Sequence, residues 1–326
     1  MTDHTGFGGD VLDILSPTTQ NGPHRPHCSE WPDRHVQNMR RLIAGCGYLG
    51  SRVARLWRAA GDEVHVLTRT ASRARHFQRE GLIPWVGDVT RPETLQQLPA
   101  VDTLLWSVGF DRDMLQTVQD VYVDGLRHLL AALPPQVGRV IHISSTGVYG
   151  QTDGSWVDEA TECRPLRAGG QAFLAAEQLL LQSPFSDRTV ILRLAGLYGP
   201  GRLPRLRQLQ VGQPIDTQPH HLLNLIHVDD AAQVVQLAAA RALQLPRVLL
   251  VSDGQPVERL AFYQEAARLF DTPPAQFCSP SSAQPVAGRR AGHKRVHNDR
   301  LRAELGITLR YPSYRAGLAA IRAESW

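Results

Sequence analysis

Lysine is all but missing from this chain: of 35 lysines and arginines in 326 residues, only Lys294 is a lysine. Any chemistry built on a lysine ammonium has that one position to use. Long apolar runs are missing too. No stretch approaches the roughly 20 consecutive apolar residues that a spanning helix needs, which argues against a membrane protein. Cys28, Cys46, Cys163 and Cys278 lie far apart with no C-x-x-C pair, so neither a disulfide framework nor a zinc site is expected, and reduced thiols in a cytoplasm fit the pattern. The arginines are spread over most segments instead of forming one block, which points to a solvated surface and away from nucleic acid. The adjacent His220 and His221 have no third ligand at suitable spacing, so no metal is expected.

What the chain does have is glycine in a telling arrangement. An apolar run, Leu42, Ile43 and Ala44, stops at Gly45, Gly47 and Gly50, and residues 51–60 follow with Val53, Ala54, Leu56, Trp57 and Ala60 at helical spacing. Strand, tight turn and helix in that order make a dinucleotide pyrophosphate site, because a helix N-terminus offers backbone donors and the positive end of its dipole. Gly45 would make the turn, Gly47 would admit the phosphates to the backbone, and Gly50 would let the helix pack on the strand.

Further strands are expected over 63–67, 83–86, 101–108, 139–143, 189–194, 223–228 and 247–251. Helices are expected over 95–98, 116–133, 171–181, 229–240, 257–270 and 298–305, with a Ser, Pro and Gly-rich loop over 279–292. This alternation predicts an α/β fold: a Rossmann-type doubly wound parallel sheet with a smaller C-terminal α/β substrate-binding portion. Residues 1–38 read as a disordered tail rich in Gly, Pro, His, Thr and Asp. Residues 39–195 read as the nucleotide-binding domain and 196–326 as the substrate portion, with some strands returning to the first sheet. Met39 stands directly before the first strand, so translation is expected to begin there, a point that the intact mass of the native protein checks.

NAD-binding units carry an Asp or Glu near the end of the second strand to hold the ribose 2′-hydroxyl. This chain has Arg69 there and Arg73 one turn later. A guanidinium fork suits a 2′-phosphate, so the expected cofactor is NADP over NAD.

With these residues in view, the chain resembles the extended or atypical short-chain dehydrogenases/reductases of the NAD-dependent epimerase/dehydratase group. The resemblance rests on GCGYLG at 45–50, GDVT at 87–90, HISSTGVYG at 142–150, LRLAGLYGPGR at 192–202 and NLIHVDDAA at 224–232. The GCGYLG form and LRYPSYRAGL at 309–318 are similar to a YeeZ-like branch. The resemblance implies that Gly45, Gly47, Tyr48, Leu49 and Gly50 hold the pyrophosphate, that Asp88 and Val89 contact adenine, and that Ser107 and Val108 line the cofactor. It makes Ser145 the catalytic hydroxyl on the substrate's reacting oxygen, and puts Arg202 near a substrate phosphate with His220, His221 and Asn224 at the same rim. It also implies a departure. Family chemistry uses a Tyr-x-x-x-Lys pair in which lysine lowers the tyrosine pKa, and with Glu177 setting the register those positions hold Gly169 and Phe173, while Tyr122 stands where many relatives have asparagine. Tyr149, Tyr198 and His227 are candidates for the displaced proton donor. The expected function is an NADP-binding oxidoreductase or epimerase/dehydratase acting on a small molecule, nucleotide sugars included, with a homodimer allowed. The rival is a non-catalytic NADP-binding sensor or scaffold.

Overall fold

A computed structural model describes residues 38–111, 115–278 and 292–324. The expectations for a disordered tail and for nearly all of the 279–292 loop lie outside the described residues. The central sheet has seven strands: β1 (Arg40–Ala44), β2 (Glu63–Thr68), β3 (Ile83–Val86), β4 (Thr103–Trp106), β5 (Arg139–Ser145), β6 (Thr189–Leu194) and β7 (Arg247–Val251). All neighbours are parallel and their order is β7-β6-β5-β4-β1-β2-β3. Both chain directions wind outward from β1 and β4, so the crevice at their carboxyl ends is where such a sheet takes its ligand.

Strands buried on both faces explain the near-continuous apolar runs. Successive side chains point to opposite faces: Leu42 and Ala44 of β1 enter one core, and Ile43 between them enters the other. The first core lies under α3 (Gly125–Ala132) and α4 (Ala168–Leu181). The second lies under α1 (Gly50–Ala59), α2 (Ala71–Arg79), α6 (Val228–Ala240) and α8 (Asp299–Leu305). A separate apolar cluster joins α7 (Arg259–Leu269) and α9 (Tyr314–Glu324) near the short helix α5 (Leu206–Gln210). No helix among the described residues is long and apolar enough to cross a membrane.

Three expected elements take a different form. The short helix expected over 95–98 is not formed; a single 3₁₀ turn comes earlier, over Pro92–Thr94, starting on proline, while Gln97 has a positive φ of 61°. The expected strand over 223–228 is broken at Asn224, whose side chain donates to Lys294 O at 2.9 Å and accepts from Val296 N at 2.8 Å. Its flanks pair elsewhere: Leu222–Leu223 with Val257–Glu258, and Leu225–His227 with Gly196–Tyr198. The helix expected over 116–133 is present, but Asp120–Asp124 adopts the wider π geometry, a local expansion frequently found at functional sites.

Candidate functional site

The carboxyl ends of β1, β2, β3 and β4 enclose a cavity of about 670 Å³, within the roughly 300–1,000 Å³ of small-molecule and cofactor sites. Its floor is the turn between β1 and α1. Gly45 has φ +90°, and a Cβ there would lie 2.5 Å from the backbone of Ser107 and Val108, so the turn and β4 meet only because that side chain is missing. Ser107 closes the same contact by donating its hydroxyl to Gly45 O at 3.0 Å. A Cβ on Gly50 would lie 2.6 Å from Gly45 O, whereas one on Gly47 would meet nothing within 4 Å. Thus Gly45 and Gly50 are fixed by packing and Gly47 faces open space. Helix α1 begins at Gly50 with no acidic residue in its first turn and no side chain capping it, a site ready for an anion.

Ten of the twelve residues read from the sequence as site residues line this cavity: Gly45, Gly47, Tyr48, Leu49, Arg69, Arg73, Asp88, Val89, Ser107 and Val108. Gly50 lies beneath the turn, and Ser145 lies outside the lining. Arg69 follows β2, and Thr70 caps α2 by accepting from Arg73 N at 3.3 Å. Arg73 donates to Cys46 O at 3.0 Å, tying α2 to the glycine turn. Burial holds the Cys46 thiol up at about 12, so it stays protonated. Asp88 accepts from Thr90 N and Thr90 Oγ1 at 2.9 and 2.8 Å, which fixes its carboxylate at the cavity edge. The charged residues of the lining are Arg69, Arg73, Arg202 and Asp88, three cations against one anion.

At the other end the walls are apolar. Tyr122, carried inward by the π segment, stacks on Phe173 of α4 with ring centroids 4.5 Å apart and planes at 25°, and both line the cavity with Val121, Ile143, Leu194 and Leu197. The Tyr122 hydroxyl accepts from Phe110 N at 3.2 Å, and burial raises its pKa. In the sequence, Tyr122 and Phe173 are two unrelated departures 51 residues apart; in the fold they are one aromatic unit. The signal available beforehand was that both are departures from the residues that the family resemblance implies. A Cβ added at Gly169 would meet nothing within 4 Å, so that position is open.

Ser145 ends β5, and its oxygen accepts from Gly147 N at 3.0 Å, leaving its hydroxyl proton to donate elsewhere. The three candidate proton donors are all enclosed and none lines the cavity. Tyr149 donates to Asp158 O at 2.8 Å and accepts from Arg193 at 2.7 Å, and burial raises its pKa. Tyr198 is fully buried against Phe262 and His227. His227 caps α6 through Asp229 N, and burial lowers its pKa to about 4. Behind Ser145, Ser144 donates to Glu177, which also takes Arg193 in a doubly bonded pair reaching 2.6 Å. The one lysine reaches the same loop from 145 residues away: Lys294 Nζ donates to Tyr149 O at 2.8 Å. Burial first, then Arg167, lowers it to about 8.

A parallel doubly wound sheet with a glycine turn at its switch point and a cationic cavity above it defines a Rossmann-type dinucleotide-binding protein. The sequence profile of the NAD dependent epimerase/dehydratase family matches residues 42–251, and the chain belongs to that family. It is 29% identical over 286 residues to Protein YeeZ of Escherichia coli (strain K12), spanning 83% of this chain and 95% of YeeZ. It is 28% identical over 316 residues to a 3-diazoavenalumate denitrifying reductase of Streptomyces sp, spanning 86% and 99%. A solved structure assigned to the NAD-dependent epimerase/dehydratases, from Methylobacillus flagellatus, is 32% identical with a TM-score of 0.69, over 89% of this chain and 99% of that one.

Proposed function

We propose that this protein is an NADP-dependent oxidoreductase of the epimerase/dehydratase family that acts on a small molecule without the usual Tyr-x-x-x-Lys pair. The observation carrying this reading is the cavity wall at the end of β2, where Arg69 and Arg73 stand in place of the acidic residue that would hold a ribose 2′-hydroxyl. Two guanidinium groups favour a 2′-phosphate and disfavour nothing in NAD except its lack of one. Gly45 to Gly50 would hold the pyrophosphate, Asp88 and Val89 the adenine, and Ser107 and Val108 the chain of the cofactor towards its nicotinamide. Bound there, the nicotinamide supplies or accepts a hydride.

Ser145 would donate its hydroxyl to the substrate's reacting oxygen. Tyr122 is the cavity hydroxyl placed to give a proton, since it already accepts from Phe110 N and burial keeps it protonated; in the reducing direction it would be the general acid. A reductase among the relatives supports reduction as the direction. The setting is taken as cytoplasmic, without membrane or nucleic-acid partners, and a homodimer is the assembly to test by light scattering.

Incubating the purified protein with NADPH and a panel of carbonyl compounds and nucleotide sugars tests the reading. Loss of NADPH absorbance with at least one compound is expected, and Tyr122→Phe should lower kcat by about 100-fold or more with NADPH affinity kept. NADPH that binds but is never oxidised across the panel favours a second reading, a non-catalytic NADP sensor. The Tyr122–Phe173 stack is the observation in its favour, because an aromatic pair fills the place of a proton relay.

A further inference from the structure

Arg202 is implied by resemblance to serve a substrate phosphate, yet its side chain lines the cavity shared with Gly45, Gly47 and Tyr48. Its backbone is held in a tight turn: Gly199 N donates to Arg202 O at 3.2 Å and Arg202 N to Gly199 O at 2.9 Å. That turn is seated on the glycine motif itself. Tyr48 Oη donates to Pro200 O at 3.0 Å, across 152 residues of sequence. Gly199 has φ +154°, and a Cβ there would come within 2.7 Å of Tyr48 Oη and 2.6 Å of Val228 Cγ1, so glycine is what allows the seat to close.

Two guanidinium groups lie over the Tyr48 ring. Arg52, at 4.3 Å from its centroid, is committed elsewhere: it pairs with Asp229 at 2.8 Å and donates to Tyr48 O at 2.8 Å. Arg202, at 5.4 Å, has no carboxylate partner among the described residues. A guanidinium packed on an aromatic face and aimed into a cavity is preorganised for a planar, charge-assisted contact with phosphate oxygens. The other two cavity arginines stand on the β2 side, with Arg73 tied to Cys46 O. The α1 N-terminus alone, whose dipole amounts to about half a positive charge, leaves most of the phosphates' two negative charges unbalanced.

We infer that Arg202 is a clamp for the dinucleotide pyrophosphate, closing on it from the 199–202 turn beside the α1 N-terminus, with Tyr48 as its seat. The inference rests on the reading of the cavity as a dinucleotide site, but not on the preference for NADP. Arg69 and Arg73 separate NADP from NAD. Arg202 contributes equally to both, because both carry the same pyrophosphate. The Tyr48–Pro200 bond joins the cofactor turn to the 199–202 turn beyond β6.

The test measures Kd for NADPH, NADH and adenosine 2′-monophosphate, which has no pyrophosphate, on the full chain as wild type, Arg202→Gln and Arg202→Lys. For Arg202→Gln, both dinucleotides should weaken by a shared factor of about 10 to 30, the loss of one charge-assisted contact, while adenosine 2′-monophosphate stays within about twofold of wild type. Arg202→Lys should fall between wild type and Arg202→Gln, since a lysine ammonium keeps the charge but loses the planar fork stacked on Tyr48. Dinucleotide affinity unchanged in Arg202→Gln while wild type binds well overturns the clamp alone. Equal weakening of the monophosphate overturns it as well, as does Arg202→Lys behaving like Arg202→Gln. Failure of wild type to bind either dinucleotide overturns the cavity reading and the clamp with it.

Discussion

Around the ends of β2 and β3 the cavity walls are charged and polar, with Arg69, Thr70, Arg73 and Asp88; at the other end they include Val121, Tyr122, Ile143, Phe173, Leu194 and Leu197. The first end has the elements a dinucleotide site needs, down to a glycine turn in which a single Cβ would collide with β4. The second holds a stacked aromatic pair, and helix α4 beside it carries neither tyrosine nor lysine. Binding and chemistry are therefore separable in one cavity, and fold membership speaks to the first more than to the second. Behind the apolar end lies a withdrawn ion pair, Glu177 and Arg193, whose side chains are 2% and 8% exposed.

The largest effect should come from that withdrawn pair. Glu177→Gln leaves Arg193 buried without a countercharge, and urea denaturation should show a loss of about 3–5 kcal/mol, with dinucleotide affinity of the folded fraction kept. An equal loss of affinity would mean that the pair belongs to the binding site. Next is Gly45→Ala, which meets both a positive φ and a 2.5 Å backbone contact. It should cost on the order of 3 kcal/mol and, unlike the first, should abolish dinucleotide binding. Joint replacement of Arg69 and Arg73 by Ala removes the Arg73 bond to Cys46 O, so stability should fall by about 1 kcal/mol, and NADPH should weaken by about 10- to 100-fold, several-fold more than NADH, as calorimetric titration would show.

The gentlest effect is a slope with pH. Asp253, just past β7, is 2% exposed, and burial raises its carboxyl from 3.8 to about 7. A group with a raised folded pKa binds more protons folded than unfolded, so its stability contribution is complete below about 3.8 and is lost as pH climbs towards 7. Asp253→Asn should flatten that decline in unfolding curves taken across pH 4 to 7, and an unchanged slope would assign the decline to other groups.

The sheet and the glycine turn were legible because their causes are local. Apolar runs report strands buried on both faces, and Gly45 and Gly50 sit where a turn and a close packing contact exclude a side chain, while Gly47 faces open space. Arg69 was legible for the same reason, as a charge at the end of a strand whose place was known. What the sequence hid depends on contacts far apart along the chain. Asn224 breaks an apparent strand because it bonds Lys294 and Val296, some 70 residues on. The π segment that carries Tyr122 to Phe173 leaves no periodic trace, and the seating of Arg202 on Tyr48 spans 152 residues between Tyr48 and Pro200. Tyr149, Tyr198 and His227 looked available to a substrate because hydroxyl and imidazole groups advertise chemistry, whereas their burial is a property of packing.

The central claim is that this cavity is a dinucleotide site made selective by arginines at the end of β2. Competitive titration of the purified full chain with NADPH and NADH at one fixed salt concentration tests it most directly. The account predicts saturable binding of both, with NADPH tighter by about tenfold or more. NADH binding as tightly as NADPH or more tightly, or no saturable binding of either, would contradict it.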